Sequence, residues 1–94
     1  MSRKIYTKYK DVVEYLGFKQ LDVYRVESEG RTVDIIRIMD PMTGKVGVVN
    51  LGAAREALSM SEFLENVVKG AEEAGLPVNE RRVATLKERF SNKP

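Results

Sequence analysis

The stretch Leu21-Asp22-Val23-Tyr24-Arg25-Val26-Glu27-Ser28-Glu29-Gly30-Arg31-Thr32-Val33-Asp34-Ile35-Ile36-Arg37-Ile38-Met39 decides the fold. Two runs of β-branched and aromatic residues flank Ser28-Glu29-Gly30-Arg31, a turn signal, which is the pattern of a β-hairpin. With Glu29 and Gly30 at the tip, Val26 falls opposite Val33 and Val23 opposite Ile36. Arg25 then meets Asp34 and Asp22 meets Arg37. A slip of one residue would lose both opposite-charge pairs, so the charges select the register as much as the apolar pattern does.

Working downstream, Asp40-Pro41-Met42-Thr43-Gly44-Lys45 reads as a second turn. A loop of Pro41 to Gly44 sets Asp40 opposite Lys45, Met39 opposite Val46, Arg37 opposite Val48 and Ile36 opposite Val49. The two hairpins share their middle strand, giving a three-stranded antiparallel meander between Leu21 and Leu51. Alternation places Leu21, Val23, Ile36, Ile38, Val49 and Leu51 on one face, with Gly47 where another backbone can approach closely. The other face carries Tyr24, Val26, Val33, Ile35, Met39, Val46 and Val48 among Asp22, Arg37 and Asn50. That second face is more apolar than a solvated face of an antiparallel sheet requires. A helix, a second subunit or a ligand is expected to cover it.

Outside the meander the apolar period becomes helical. Tyr9, Val12, Val13 and Leu16 predict a helix from Lys8 to Leu16, stopped by Gly17. Gly52 to Leu58 is expected to form a short turn of helix. Ser59-Met60-Ser61-Glu62 has the form of a capping box, opening a helix with Met60, Phe63, Leu64, Val67, Val68 and Ala71 on one face that closes at Gly75 and Pro77. A last helix starts after Asn79 and presents Val83, Leu86 and Phe90. The expected fold class is α+β: a short N-terminal helix, the meander, then two to three C-terminal helices packed on the sheet. The 94 residues make a single domain, 1–94, with a basic arm at 1–7, a folded core at 8–90 and a frayed tail at 91–94.

Composition narrows the chemistry. There is no cysteine and no histidine. Disulfides, thiolate metal sites and cysteine nucleophiles are therefore excluded, along with the commonest general base and metal ligand. A non-enzymatic protein without cofactor or metal is expected. With 43% hydrophobic residues and no apolar run near the roughly 18 residues of a spanning helix, a soluble cytoplasmic protein with no membrane partner is expected. No apolar segment of the signal-peptide kind follows the basic start. The dense Lys, Arg and Glu fit a thermophile's habit of surface ion pairs.

Net charge is only +2, so local distribution matters more than the total. Arg3, Lys4, Lys8 and Lys10 are interleaved with Tyr6 and Tyr9, and no acidic residue precedes Asp11. Lysines neutralise phosphates and tyrosine rings stack on bases, the residue types that single-strand binders use. The competing reading has these tyrosines cap the core beside the first helix. The second candidate is the apolar sheet face around Tyr24, with Arg31, Arg37 and Lys45 at or near its edges. Its competing readings are plain core beneath the C-terminal helices and a dimer interface. Arg81, Arg82, Lys87 and Arg89 on the last helix alternate with Glu80 and Glu88, the pattern of a solvated ion-pair face.

Two catalytic readings fail. Asp22, Asp34 and Asp40 lie on neighbouring strands, as nuclease carboxylates can, but the register pairs the first two with arginines and puts the third in a turn. The Asp40 to Lys45 turn lacks phosphate-loop spacing and no helix follows it.

The order of elements resembles the archaeal ThermoDBP-related proteins, small single-stranded nucleic-acid binders. The likeness rests on the helix Lys8 to Leu16, the strand segments Leu21 to Val26, Val33 to Ile38 and Lys45 to Leu51, and the helices after Gly52. It implies an antiparallel sheet backed by helices that forms a cleft for the strand, and it assigns no individual binding residue. The expectation is single-stranded DNA or RNA binding with little sequence specificity, through Lys4, Tyr6, Lys8, Tyr9, Tyr24, Arg31, Arg37, Met39, Lys45 and Val48. The alternative is a protein interaction module or homodimeric subunit that uses the second apolar sheet face.

Overall fold

Both hairpins form in the expected register, and both charge pairs of the first one close. The computed structural model describes residues 3–91, with side chains from Tyr6 onward. In chain order it comprises α1 (Arg3–Tyr15), β1 (Lys19–Ser28), β2 (Arg31–Met39), β3 (Val46–Asn50), a 3-10 turn (Arg55–Ala57), α2 (Met60–Glu73) and α3 (Glu80–Ser91). The class is α+β, with a three-stranded antiparallel sheet in the order β1-β2-β3.

Across β1 and β2, Asp22 pairs with Arg37, Val23 with Ile36, Arg25 with Asp34 and Val26 with Val33. Ile36 pairs with Val49, Arg37 with Val48 and Met39 with Val46 across the second hairpin. Glu29 and Gly30 both take positive φ, 51° and 75°, the backbone of a two-residue turn whose twist matches the strands. In the second turn the Asp40 carboxylate accepts from the Met42 N–H and the Thr43 hydroxyl, and the Asp40 N–H donates to the Lys45 carbonyl at 2.8 Å.

A bulge interrupts the start of β1, where Gln20 opposes Ile38, Asp22 opposes Arg37 and Leu21 has no partner. Leu21, expected on the helix-packed face, is only half-buried and stands outside the core cluster. The extra residue inverts the alternation before it. Gln20 takes the face of Ile38, and Lys19 takes the face of Met39.

The helices all pack on the Ile36 face. Ile36 and Ile38 are fully buried in one cluster with Val13, Phe63, Leu64 and Val67, and each such side chain contributes about 1.5–3 kcal/mol relative to exposure. Helix α1 lies on β1 and α2, and α2 lies on β3 and α3. Two glycines allow α2 and the residues after it to approach β3 closely. A Cβ on Gly70 would stand 2.8 Å from Val49 Cγ1, and one on Gly47 would stand 2.8 Å from Ala74 Cβ. Close approach at Gly47 is the feature its place in the strand suggests.

Local signals account for the helix ends. The Ser59 Oγ accepts from the Glu62 N–H and the Glu62 carboxylate accepts from the Ser59 N–H, the expected capping box. The Asn79 side chain accepts from the Arg82 N–H at 3.1 Å and caps α3. Helix α1 begins at Arg3, five residues before Lys8, so residues 3–7 of the expected arm are helical. Ser91 closes α3, and the rest of the expected tail lies outside the described residues, as do residues 1 and 2 of the arm.

Two acidic residues are buried, Asp34 in the middle strand and Asp40 in the second turn. Asp34 is fully buried, and its carboxylate accepts from Arg25 Nε and Nη2 at 2.7 and 3.0 Å, the Arg55 N–H at 2.9 Å and Arg55 Nε at 2.8 Å. Burial pushes the carboxyl up, but these bonds outweigh burial and hold it well below the usual carboxylate range. Asp34 thereby ties the 3-10 turn to the middle strand.

Candidate functional site

Among the described residues no helix lies over the second sheet face. Tyr24 is 45% exposed, Val46 43% and Val48 55%. Ile35, Arg37 and Met39 of β2 are half-buried between the flanking strands. The cross-strand rows follow from the register: Lys19, Met39 and Val46; Asp22, Arg37 and Val48; Tyr24, Ile35 and Asn50; then Val26 and Val33; then Ser28 and Arg31. Val33, expected on this face, is buried at 4% exposure and stands apart from the main core cluster, so the bare area centres on Tyr24, Arg37 and Val48.

At its middle lies an ion pair. The Asp22 carboxylate accepts from Arg37 Nε at 2.9 Å and from Nη2 at 2.7 Å, while both side chains keep close to half their surface in solvent. Hydrogen bonding to Arg37 holds the Asp22 carboxyl below its usual value, and the same bond raises Arg37. The pair fixes the guanidinium in place on the face, with Nη1 outside it. Lys19 and Arg31 stand exposed at opposite ends, each about 14 Å along the strands from the Tyr24 row.

The structure divides the ten expected binding residues. Tyr24, Arg37, Met39 and Val48 come together on the bare face, and Arg31 stands at its hairpin end. Lys45 does not join them. Its Nζ lies where a Cβ on Gly75 would come within 2.8 Å, so its ammonium sits just beyond the carbonyl end of α2, where the helix dipole favours a cation.

Of the tyrosines in the N-terminal segment, Tyr9 belongs to the core and Tyr6 packs against it. Tyr9 is 3% exposed, packs edge-on against Phe63 with centroids 4.9 Å apart, and donates its hydroxyl to the Arg55 carbonyl at 3.3 Å. Burial, with Glu56 adding to it, pushes the Tyr9 phenol up, which keeps it a donor. Tyr6 is half-buried beneath the Arg55 guanidinium, 4.0 Å from its ring centroid. Helical spacing carries the Tyr9 ring into the core, and the Arg55 guanidinium covers one face of the Tyr6 ring. Lys8 is exposed on α1, but α1 lies on the sheet's other side from Tyr24. Lys4 lies in α1, and its side chain is outside the described residues.

Lys19 is the face residue that sequence reasoning missed. Its place depends on the bulge at Leu21, for which Lys19-Gln20-Leu21-Asp22 carries no glycine or other local signal. Among the described residues no group of three or more acidic side chains could hold a metal, and no helix is long and apolar enough to cross a membrane.

Fold and face together define a class: a small α+β domain with a one-sided sheet, helix-packed beneath and bare above. No family model matches the chain, and no curated protein or solved structure matches it.

Proposed function

We propose that this protein is a non-enzymatic domain that binds single-stranded DNA or RNA, with little sequence preference, on the bare sheet face. The observation that carries the reading is an uncovered β-sheet presenting Tyr24 beside a fixed Arg37 guanidinium over an aliphatic bed. Aromatic rings and guanidinium planes stack on unpaired bases whatever their identity. Lys19 and Arg31 at the two ends supply phosphate neutralisation, and Asp22, the acidic residue in the centre of the face, is occupied by Arg37. The layout likeness to archaeal single-strand binders points the same way. The N-terminal tyrosines take no part in this version of the site.

A second reading, protein docking on the same face, draws on the exposed valines Val46 and Val48. Fluorescence anisotropy with a labelled oligothymidylate across a salt series separates the two. Nucleic-acid binding gives an affinity that falls as salt rises, with a slope near −0.7 for each phosphate neutralised. No binding at low salt, or binding indifferent to salt, contradicts the proposal and favours a protein partner.

A further inference from the structure

The two edges of the sheet are unlike. The outer edge of β1 carries the Leu21 bulge, and its outward backbone groups belong to Val23, Arg25 and Glu27, two of them charged. Bulges and charges are the devices by which proteins keep an edge strand from pairing. The outer edge of β3 has neither. In the antiparallel ladder the Asp40 N–H donates to the Lys45 carbonyl and the Leu51 N–H to the Asp34 carbonyl, so Lys45, Gly47, Val49 and Leu51 point their backbone groups at β2. Val46, Val48 and Asn50 therefore point theirs outward, along an uncharged strand without proline.

We propose that β3 pairs antiparallel with β3 of a second copy of this chain about a two-fold axis through Val48, joining two three-stranded sheets into one of six. In that register Val48 lies opposite its own copy and Val46 opposite Asn50 of the second chain. All three outward residues fall in hydrogen-bonded positions.

Charge on α2 fits the same axis. The Asn66 side chain donates to the Leu51 carbonyl at 2.9 Å, Gly70 abuts Val49, and Ala74 abuts Gly47. Helix α2 thus runs antiparallel to β3, four helical residues for every two of the strand, and the axis through Val48 passes near position 72. A groove of about 370 Å³ along this edge is lined by Val48, Asn50, Asn66, Lys69, Gly70 and Glu73. The two-fold brings Lys69 of each copy across from Glu73 of the other, offset by about 3 Å along the helix, which the two long side chains span. A basic and an acidic side chain on either side of the axis make this edge complementary to itself. The pairing also makes the two Tyr24 faces one continuous surface, with the tyrosines five strand spacings, about 24 Å, apart.

The test needs no oligonucleotide, so its failure is distinct from failure of nucleic-acid binding. Sedimentation equilibrium of the full chain across a concentration series is expected to show the mass rising from 10.6 kDa towards twice that value. Val48→Pro removes an outward N–H that lies outside the β2–β3 ladder of the described residues, and proline is tolerated at such edge positions. It is expected to keep the wild-type circular dichroism spectrum and remain at 10.6 kDa. Should that variant unfold, Lys69→Glu, on an exposed helix position, is expected to weaken association about tenfold, and the double exchange Lys69→Glu with Glu73→Lys to restore it. A wild-type mass of 10.6 kDa at every concentration overturns the proposal. So does a dimer that persists in folded Val48→Pro, or one that Lys69→Glu leaves unchanged. A dimer lost in Tyr24→Ala but kept in Val48→Pro also overturns it, by placing the interface on the bare face.

Discussion

Asp22 grips Arg37 across β1 and β2 through two hydrogen bonds, 2.9 and 2.7 Å long, in the centre of a sheet face that no helix covers. The pair does two opposed things. For a face that binds nucleic acid as proposed, it would orient a guanidinium for stacking and cancel the charge that would otherwise attract a phosphate. Asp22→Asn keeps a side chain able to position Arg37 while releasing its charge. The variant is expected to bind oligothymidylate more tightly, with the salt slope steeper by about 0.7, as measured by anisotropy across the salt series. Thermal stability should change little, because both partners are solvated.

Asp34 holds the opposite face together at its edge. Asp34→Asn leaves the Arg25 and Arg55 guanidinium groups without their buried counter-charge, and an unfolding free-energy loss of about 3 kcal/mol is expected in urea titrations. The pH dependence has a definite sign. Hydrogen bonds from Arg25 and Arg55 outweigh burial and hold the folded carboxyl below its unfolded value. Its contribution is therefore fully present above the unfolded value, about pH 4, and declines as acid protonates the unfolded chain below that point. Wild-type stability should fall below about pH 4, and the asparagine variant should show a flatter acid limb.

Close packing of α2 on β3 depends on Gly70. Gly70→Ala places a methyl within 2.8 Å of Val49 Cγ1, and overpacking of this kind costs about 1–3 kcal/mol. The expected result is a lower denaturation midpoint at an unchanged denaturant slope. By contrast, Tyr24→Ala on the bare face should leave the midpoint close to wild type.

At the tip of the first hairpin Glu29 holds a φ of 51°, a conformation that glycine and asparagine adopt far more readily than glutamate. Glu29→Asn is expected to raise stability by about 0.5–1 kcal/mol, read from the same titrations.

The meander was legible because its charges are redundant with its apolar alternation. Asp22 with Arg37 and Arg25 with Asp34 leave one register that satisfies both, and that register forms. Helix ends at Ser59 and Asn79 were legible for a similar reason, since a capping side chain acts within three residues of itself. The bulge at Leu21 was not, because nothing within Lys19-Gln20-Leu21-Asp22 distinguishes an unpaired residue from a paired one. It therefore hid the place of Lys19 on the bare face.

The start of α1 escaped the apolar period because most of Arg3 to Lys8 is polar, so the periodic signal begins only near Tyr9. The basic and aromatic composition there suggested a binding arm, while the same helical spacing that includes Tyr9 carries the ring into the core. Whether a tyrosine stacks on Phe63 or on a base depends on which way its helix faces, and this is settled by tertiary packing. Asp34 likewise showed one partner in sequence, Arg25. Its second, Arg55, lies 21 residues away, beyond the reach of any local pattern.

Amide chemical-shift mapping with an unlabelled oligothymidylate at low salt distinguishes a nucleic-acid site on the bare face around Tyr24 from one elsewhere on the molecule. For the proposed site the shifts are expected at Lys19, Asp22, Tyr24, Ile35, Arg37 and Val48, with Tyr24→Ala weakening binding by about 1–3 kcal/mol. Shifts confined to α1 or α3, or a Tyr24→Ala variant that binds as tightly as wild type, would contradict it.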